Sequence, residues 1–68
     1  MGTFSEKLKT LRSQKGLTLK SVAEQLNIGL MAYAHYEYGD REPSLEVLKK
    51  LCILFDVSAD YLIGLSDY

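Results

Sequence analysis

Sixty-eight residues make one small domain at most, and a chain of this size buries only about 60% of the surface its unfolded form exposes. A composition of 47% hydrophobic and 25% charged residues, with five Gly and one Pro, excludes a disordered tail, a collagen-like repeat and a low-complexity segment. The net charge of −1 gives no overall pull toward a polyanion. In chain order, Phe4, Leu8 and Leu11 recur at helical spacing, and Thr3 with Glu6 forms a Thr-x-x-Glu capping box that starts a first helix. Gly16, after Lys15, ends it. Thr18 caps a short second helix, with Leu17 stapled to Val22 and with Val22, Ala23 and Leu26 facing inward. Asn27 tolerates the left-handed conformation of a tight turn, and Gly29 caps a third helix from about Leu30 to Tyr38 that stops at Gly39. Gly39-Asp40-Arg41-Glu42-Pro43 is a loop by composition. Ser44 caps a fourth helix with Glu46 in its first turn. Leu45, Leu48, Cys52 and Phe55 form its main apolar stripe and Val47, Leu51 and Leu54 a second, which predicts the central, most buried helix, with Cys52 a small buried hydrophobe. Ser58 caps a short fifth helix, with Asp60 in its first turn and Val57 stapled to Leu62, and Gly64 ends it. No period-2 pattern appears, so the expected fold is all-α: a compact five-helix domain over residues 1–68.

A single cysteine cannot form an internal disulfide, and one His with one Cys cannot complete a structural zinc site, so no metal and no cofactor are expected. No apolar run approaches the roughly 18 residues of a membrane span, and the N-terminus lacks the apolar stretch of a signal peptide. The expectation is a cytoplasmic domain with no membrane partner. An enzyme is not expected, because neither a Ser-His-Asp nor a Cys-His arrangement can be drawn and no Gly-rich phosphate loop exists. Charge is unevenly spread. Residues 1–20 carry Lys7, Lys9, Arg12, Lys15 and Lys20 against Glu6, whereas residues 21–68 carry Arg41, Lys49 and Lys50 against eight acids. Such a dipole orients a domain on a charged partner or marks solvated helix faces.

Two short helices around a tight turn, within about residues 19–38, satisfy the helix-turn-helix template. Ala23 is the small residue where the helices cross, Asn27 occupies the turn, and Val22, Leu26, Ile28, Tyr33 and Tyr36 are spaced to seal both helices to a core. The chain further resembles the phage-repressor, or Xre/Cro-like, helix-turn-helix family over nearly its whole length. The matching segments are Leu8-Lys9-Thr10-Leu11-Arg12, Lys15-Gly16-Leu17-Thr18, Val22-Ala23-Glu24-Gln25-Leu26, Tyr36-Glu37-Tyr38-Gly39, Pro43-Ser44-Leu45 and Phe55 to Gly64. The resemblance implies a repressor-like fold that binds operator DNA, usually as a dimer, with the third helix in the major groove. It also implies that Arg12 and Glu37 form a structural ion pair between the first helix and the end of the recognition helix; the other reading of Arg12 is a phosphate contact.

The departures from the family lie on the expected binding surface. Leu19 stands where the family commonly has Gln. The recognition helix opens Gly29-Leu30-Met31-Ala32-Tyr33-Ala34-His35, so no Arg-to-guanine or Asn/Gln-to-adenine pairing is available from 29 to 34. Leu30, Met31, Ala32 and Ala34 can instead meet thymine methyls, with polar readout left to His35 and Tyr38. Leu30 and Met31 can equally form a protein–protein patch. His35 can be a packing residue, and as a metal ligand it has no second ligand at helical spacing. Tyr33 replaces the family's Ile or Val and is expected to push its hydroxyl to the surface. Thr18, Lys20 and Arg41, with backbone N–H groups at the starts of the second and third helices including Gly29, are candidate phosphate contacts. Tyr61, Leu62, Leu65 and Tyr68 form an apolar C-terminal edge suited to an isologous homodimer with recognition helices about 34 Å apart. The resulting expectation is a sequence-specific regulator of double-stranded DNA, a repressor of bacterial or phage origin; the alternative is an interaction module on the same fold.

Overall fold

In the computed structural model, which describes residues 3–67, five helices follow one another: α1 (Phe4–Gln14), α2 (Leu19–Leu26), α3 (Leu30–Tyr38), α4 (Leu45–Phe55) and α5 (Ala59–Ile63). No strand occurs among the described residues. Each helix start but one is closed by a side chain. Thr3 Oγ1 accepts the Glu6 N–H at 3.2 Å, while Glu6 Oε1 accepts the Thr3 N–H at 2.9 Å, completing the capping box. Those bonds from Thr3, its backbone N–H foremost, hold the Glu6 carboxyl below its ordinary range. Thr18, Ser44 and Ser58 accept from Ser21, Val47 and Tyr61 at 3.0, 3.2 and 3.0 Å. Gly29, at the start of α3, supplies no side-chain cap.

The helix ends share one device. Residues 16, 27, 56 and 64 enter the left-handed region, and the next residue's N–H returns to a carbonyl five positions back: Leu17 to Arg12, Ile28 to Ala23, Val57 to Cys52 and Leu65 to Asp60, at 3.1, 3.0, 3.1 and 2.8 Å. The returned side chains of Leu17, Ile28 and Val57 then pack on the core. Asp56 (φ 55°) fills this role at the end of α4 although it is not glycine.

The core is built from Leu8, Val22, Ala23, Leu26, Tyr33, Tyr36, Leu51, Phe55 and Leu62. The Tyr33 and Tyr36 rings meet edge to face with centroids 6.3 Å apart. Here the fold corrects the expectation that α4 is the most buried helix. Only Leu51 and Phe55 of α4 are buried, whereas α3 buries Tyr33, Ala34, Tyr36 and Glu37. Leu45 is 84% exposed, on the side of α4 away from the core against which Val47 and Leu48 pack, and Cys52 is half-buried. α3 is central instead, packed between α1 and α2. Lys50 Nζ donates to the Leu26 carbonyl at 3.2 Å, tying α4 to the end of α2. Lys7 Nζ donates to the Tyr61 carbonyl at 2.7 Å with its ammonium 4.6 Å from the Tyr61 ring centroid, tying α1 to α5.

Candidate nucleic-acid interface

Asn27, at φ 59° and ψ 45°, reverses the chain between α2 and α3, and Ala23 is buried there. The inner face of α3 is locked by one polar cluster. Arg12 Nε and Nη2 donate to Glu37 Oε2 and Oε1 at 2.7 and 3.1 Å, a bidentate pair, and Arg12 Nη1 donates to the Leu17 carbonyl at 3.0 Å. Tyr33 Oη donates to Glu37 Oε2 at 2.5 Å. The Glu37 side chain is 2% exposed, so the carboxylate has exchanged water for these donors. Burial, reinforced by Glu37, raises the Tyr33 phenol well above its ordinary value, and the bond to Glu37 raises that of the Arg12 guanidinium. Among the described residues no buried side-chain nitrogen or oxygen lacks a partner. The cluster joins α1, the α1–α2 turn and α3, and so fixes how α3 is presented.

Two expectations for this face are corrected. Tyr33 does not carry its hydroxyl to the surface: it is fully buried, and Glu37 gives the hydroxyl an acceptor inside. Ala34 is 2% exposed and lies on the buried side with Tyr33 and Glu37, so its methyl is out of reach of a base in a groove.

The outer face of α3 carries the remaining candidates. Met31, His35 and Tyr38, spaced four and three apart, form one stripe, with Met31 58% exposed, Tyr38 exposed and His35 partly so. Leu30 is exposed beside it, and Ala32 is half-buried. His35 Nδ1 lies 2.9 Å from Asp40 Oδ1, and its ring stands edge-on to Tyr38 with centroids 5.7 Å apart. Asp40 was not legible as a site residue: the left-handed Gly39 brings it back over the helix end, at a separation no helical periodicity marks. Leu19 packs partly against the core and points no polar group outward.

Thr18 is exposed, and its oxygen accepts from Ser21 while its hydroxyl proton stays available to an acceptor. Lys20 and Arg41 are exposed. Of the five cations in residues 1–20, Lys7 and Arg12 serve internal contacts, and Lys9, Lys15 and Lys20 remain as exposed charge. The C-terminal edge is smaller than expected. Leu65 is exposed and Tyr61 half-buried beneath Lys7, but Leu62 has 0% exposure, because α5 turns it inward between α1 and α4; Leu62 therefore cannot contribute to a dimer surface. Tyr68 lies outside the described residues. No group of three His, Cys, Asp or Glu side chains among the described residues could hold a metal, and no helix among them is long and apolar enough to cross a membrane.

A helix pair of this geometry, with one face of its second helix anchored and the other exposed, defines a helix-turn-helix protein. The helix-turn-helix family model matches residues 8–62, and the chain belongs to that family. It is 47% identical over 60 residues to the uncharacterized HTH-type transcriptional regulator YqaE of Bacillus subtilis, an alignment covering 88% of this chain and 52% of YqaE. The chain spans about half the length of the curated relatives it matches. Its structure superposes on that of a transcriptional regulator from Listeria innocua with a TM-score of 0.85 and 35% identity, covering 91% of this chain and 58% of that one. It also superposes on the P22 c2 repressor, solved in complex with a synthetic operator, with a TM-score of 0.90, covering 97% of this chain and all of that one; at 20% identity this likeness speaks for the fold alone.

Proposed function

We propose that this chain is a DNA-binding module of a transcriptional regulator, a repressor acting in the cytoplasm, that sets the outer face of α3 into the major groove of an operator. The observation that carries the reading is the division of α3: its inner face is fixed by the Arg12–Glu37–Tyr33 cluster, while Met31, His35 and Tyr38 stand on the outside of a helix-turn-helix. That the relative ImmR of Bacillus subtilis, 42% identical over 62 residues, is an HTH-type transcriptional regulator supports the same reading. Leu30, Met31 and Ala32 suit thymine methyls. The Thr18 hydroxyl, Lys20, Arg41 and the N–H groups at the starts of α2 and α3 suit phosphates, which fix register and carry no sequence. Two copies meeting across the edge that includes Tyr61 and Leu65, both outside the core, form the dimer, whose recognition helices must stand about 34 Å apart to enter successive major grooves. The binding chemistry is non-covalent and needs neither metal nor cofactor. A second reading, a protein-docking face, is favoured by the exposure of Leu30 and Met31.

Selection of bound duplexes from genomic fragments with the purified chain decides between them. The regulator reading expects an enriched A·T-rich motif, and binding that weakens with salt as about three or four released counterions per protomer, each contributing roughly −0.9 to the log–log slope. Lys20→Ala and Arg41→Ala should weaken all sequences about equally. Absence of any enriched duplex, or affinity untouched by both changes, would sink it. Sedimentation that finds a monomer both free and on DNA removes the dimer.

A further inference from the structure

Asp40 is an anion beside the face that the proposed function turns toward a polyanion, a placement that weakens binding unless the carboxylate does something there. Gly39 adopts φ 88°, its N–H returning to the His35 carbonyl at 3.1 Å, and this reversal brings Asp40 back to His35. A Cβ at position 39 would stand 3.3 Å from Ser5 Oγ in a backbone conformation that L side chains rarely adopt, so a side chain there is strained and glycine is favoured. Asp40 Oδ1 then sits 2.9 Å from His35 Nδ1, and the Tyr38 ring stands edge-on to the imidazole at an interplanar angle of 82°. These two contacts restrict the ring's rotation and leave Nε2 as the nitrogen for an external partner.

The chemistry follows from the donor–acceptor inventory. An ionised carboxylate only accepts, so the bond requires the proton on Nδ1, and the neutral ring then presents a lone pair at Nε2. In the major groove an acceptor pairs with an exocyclic amine, adenine N6 or cytosine N4; guanine N7 and O6 and thymine O4 are themselves acceptors and are rejected. We infer that Asp40 is a specificity-determining positioning residue: by holding His35 as its Nδ1–H tautomer, it makes the recognition helix select an amine-bearing base opposite residue 35. The inference rests on the regulator reading above and adds to it a base preference that the apolar residues of α3 cannot supply.

Two measurements test it. Long-range proton–nitrogen correlation spectra of the chain without DNA, recorded where the ring's nitrogen shifts show it neutral, should find Nδ1–H in the wild type and a shift toward Nε2–H in Asp40→Ala. Nε2–H in the wild type overturns the inference whether or not DNA binds. Asp40 is exposed, so the variant is expected to fold, and the same spectra verify that. Duplex selection should then show one position at which the wild type prefers adenine or cytosine. In Asp40→Ala the preference over guanine at that position should fall about fivefold, the weight of one net hydrogen bond, while the other positions keep theirs. His35→Ala should flatten the same position, and adding Asp40→Ala to it should change nothing further there. An Asp40→Ala effect spread evenly over all positions, or one that persists without His35, overturns the inference and leaves the regulator reading standing. A wild type that enriches no duplex overturns both.

Discussion

The two faces of α3 follow opposite rules. Inside, a charged residue is buried: Glu37 is surrounded by Arg12 and Tyr33, with its oxygens taken by donors. Outside, apolar residues meet water: Met31 and Leu30 are exposed where a soluble helix ordinarily places polar groups. The inner arrangement is geometrically specific, since a bidentate guanidinium–carboxylate contact between α1 and α3 tolerates little sliding or rotation, and that specificity is what buried charge can supply where burial alone would not. The outer arrangement contributes little to the fold, so a ligand is its natural explanation. Substitutions on the two faces should therefore separate stability from binding.

The largest effect is expected from Arg12→Ala. It leaves the Glu37 carboxylate buried with the Tyr33 hydroxyl as its remaining side-chain donor and should cost about 3–5 kcal/mol, enough to unfold a chain of this size at moderate urea. Met31→Ala on the outer face should shift the urea midpoint by less than about 0.5 kcal/mol equivalent. The triple replacement Arg12→Met, Glu37→Leu, Tyr33→Phe should recover most of the lost stability, because well-packed apolar groups commonly match a buried ion pair. A single Arg12→Ala costing under about 1 kcal/mol would remove the distinction between the faces.

Tyr33→Phe should come next, at about 2 kcal/mol for one hydrogen bond to a charged acceptor in a setting otherwise unchanged. It also carries a pH signature. The phenol is raised above its ordinary value of 10.0 in the folded chain. Below pH 10 both states hold the proton and the hydrogen bond counts in full. As pH rises past about 10 the unfolded phenol ionises while the folded one does not, so stability falls by about 1.4 kcal/mol per pH unit. Urea titrations should show that the alkaline decline is shallower in Tyr33→Phe than in the wild type. Parallel curves would mean that Tyr33 ionises alike in both states.

What was legible in the sequence was local. Thr3, Thr18, Ser44, Ser58 and Asn27 act through atoms within a few residues, so their roles follow from the chemistry of one turn. The helix-turn-helix motif was legible for the same reason, and the family resemblance pointed to the Arg12–Glu37 pairing whose geometry the fold displays. Burial was less legible wherever apolar residues outnumber the positions facing the core. In α4 two apolar stripes suggested a central helix, yet a helix packed on one side leaves Leu45 and Ile53 in solvent. In α3 the apolar residues on both faces and the carboxylate inside cancel the usual periodicity, so the pattern does not mark Ala34 as buried; Tyr33 reads correctly as a core residue, but the acceptor that keeps its hydroxyl inside is Glu37, one turn further on. Asp56 and Asp40 depend on left-handed turns whose outcome is set by the next helix or by the preceding one, information that single residues do not carry.

The smallest and most selective prediction concerns the outer face alone. If Leu30, Met31 and Ala32 touch thymine methyls, replacing operator thymines by uracil removes those methyls and changes neither the Watson–Crick edge nor the phosphates. Each substitution should cost about 0.8 kcal/mol, the transfer free energy of one buried methyl-sized group, or roughly fourfold in affinity. The loss should vanish in Met31→Ala at the position Met31 contacts and persist elsewhere, which maps the helix on the groove base by base. His35 obeys a different rule, since an exocyclic amine is untouched by removal of a methyl, so its position should be silent to uracil and sensitive to Asp40→Ala. Titrations of matched thymine and uracil duplexes at one salt concentration measure both. Equal affinities across the whole series, with Met31→Lys instead abolishing capture of a protein ligand, would mean that the exposed face of α3 docks protein and that DNA is not what it reads.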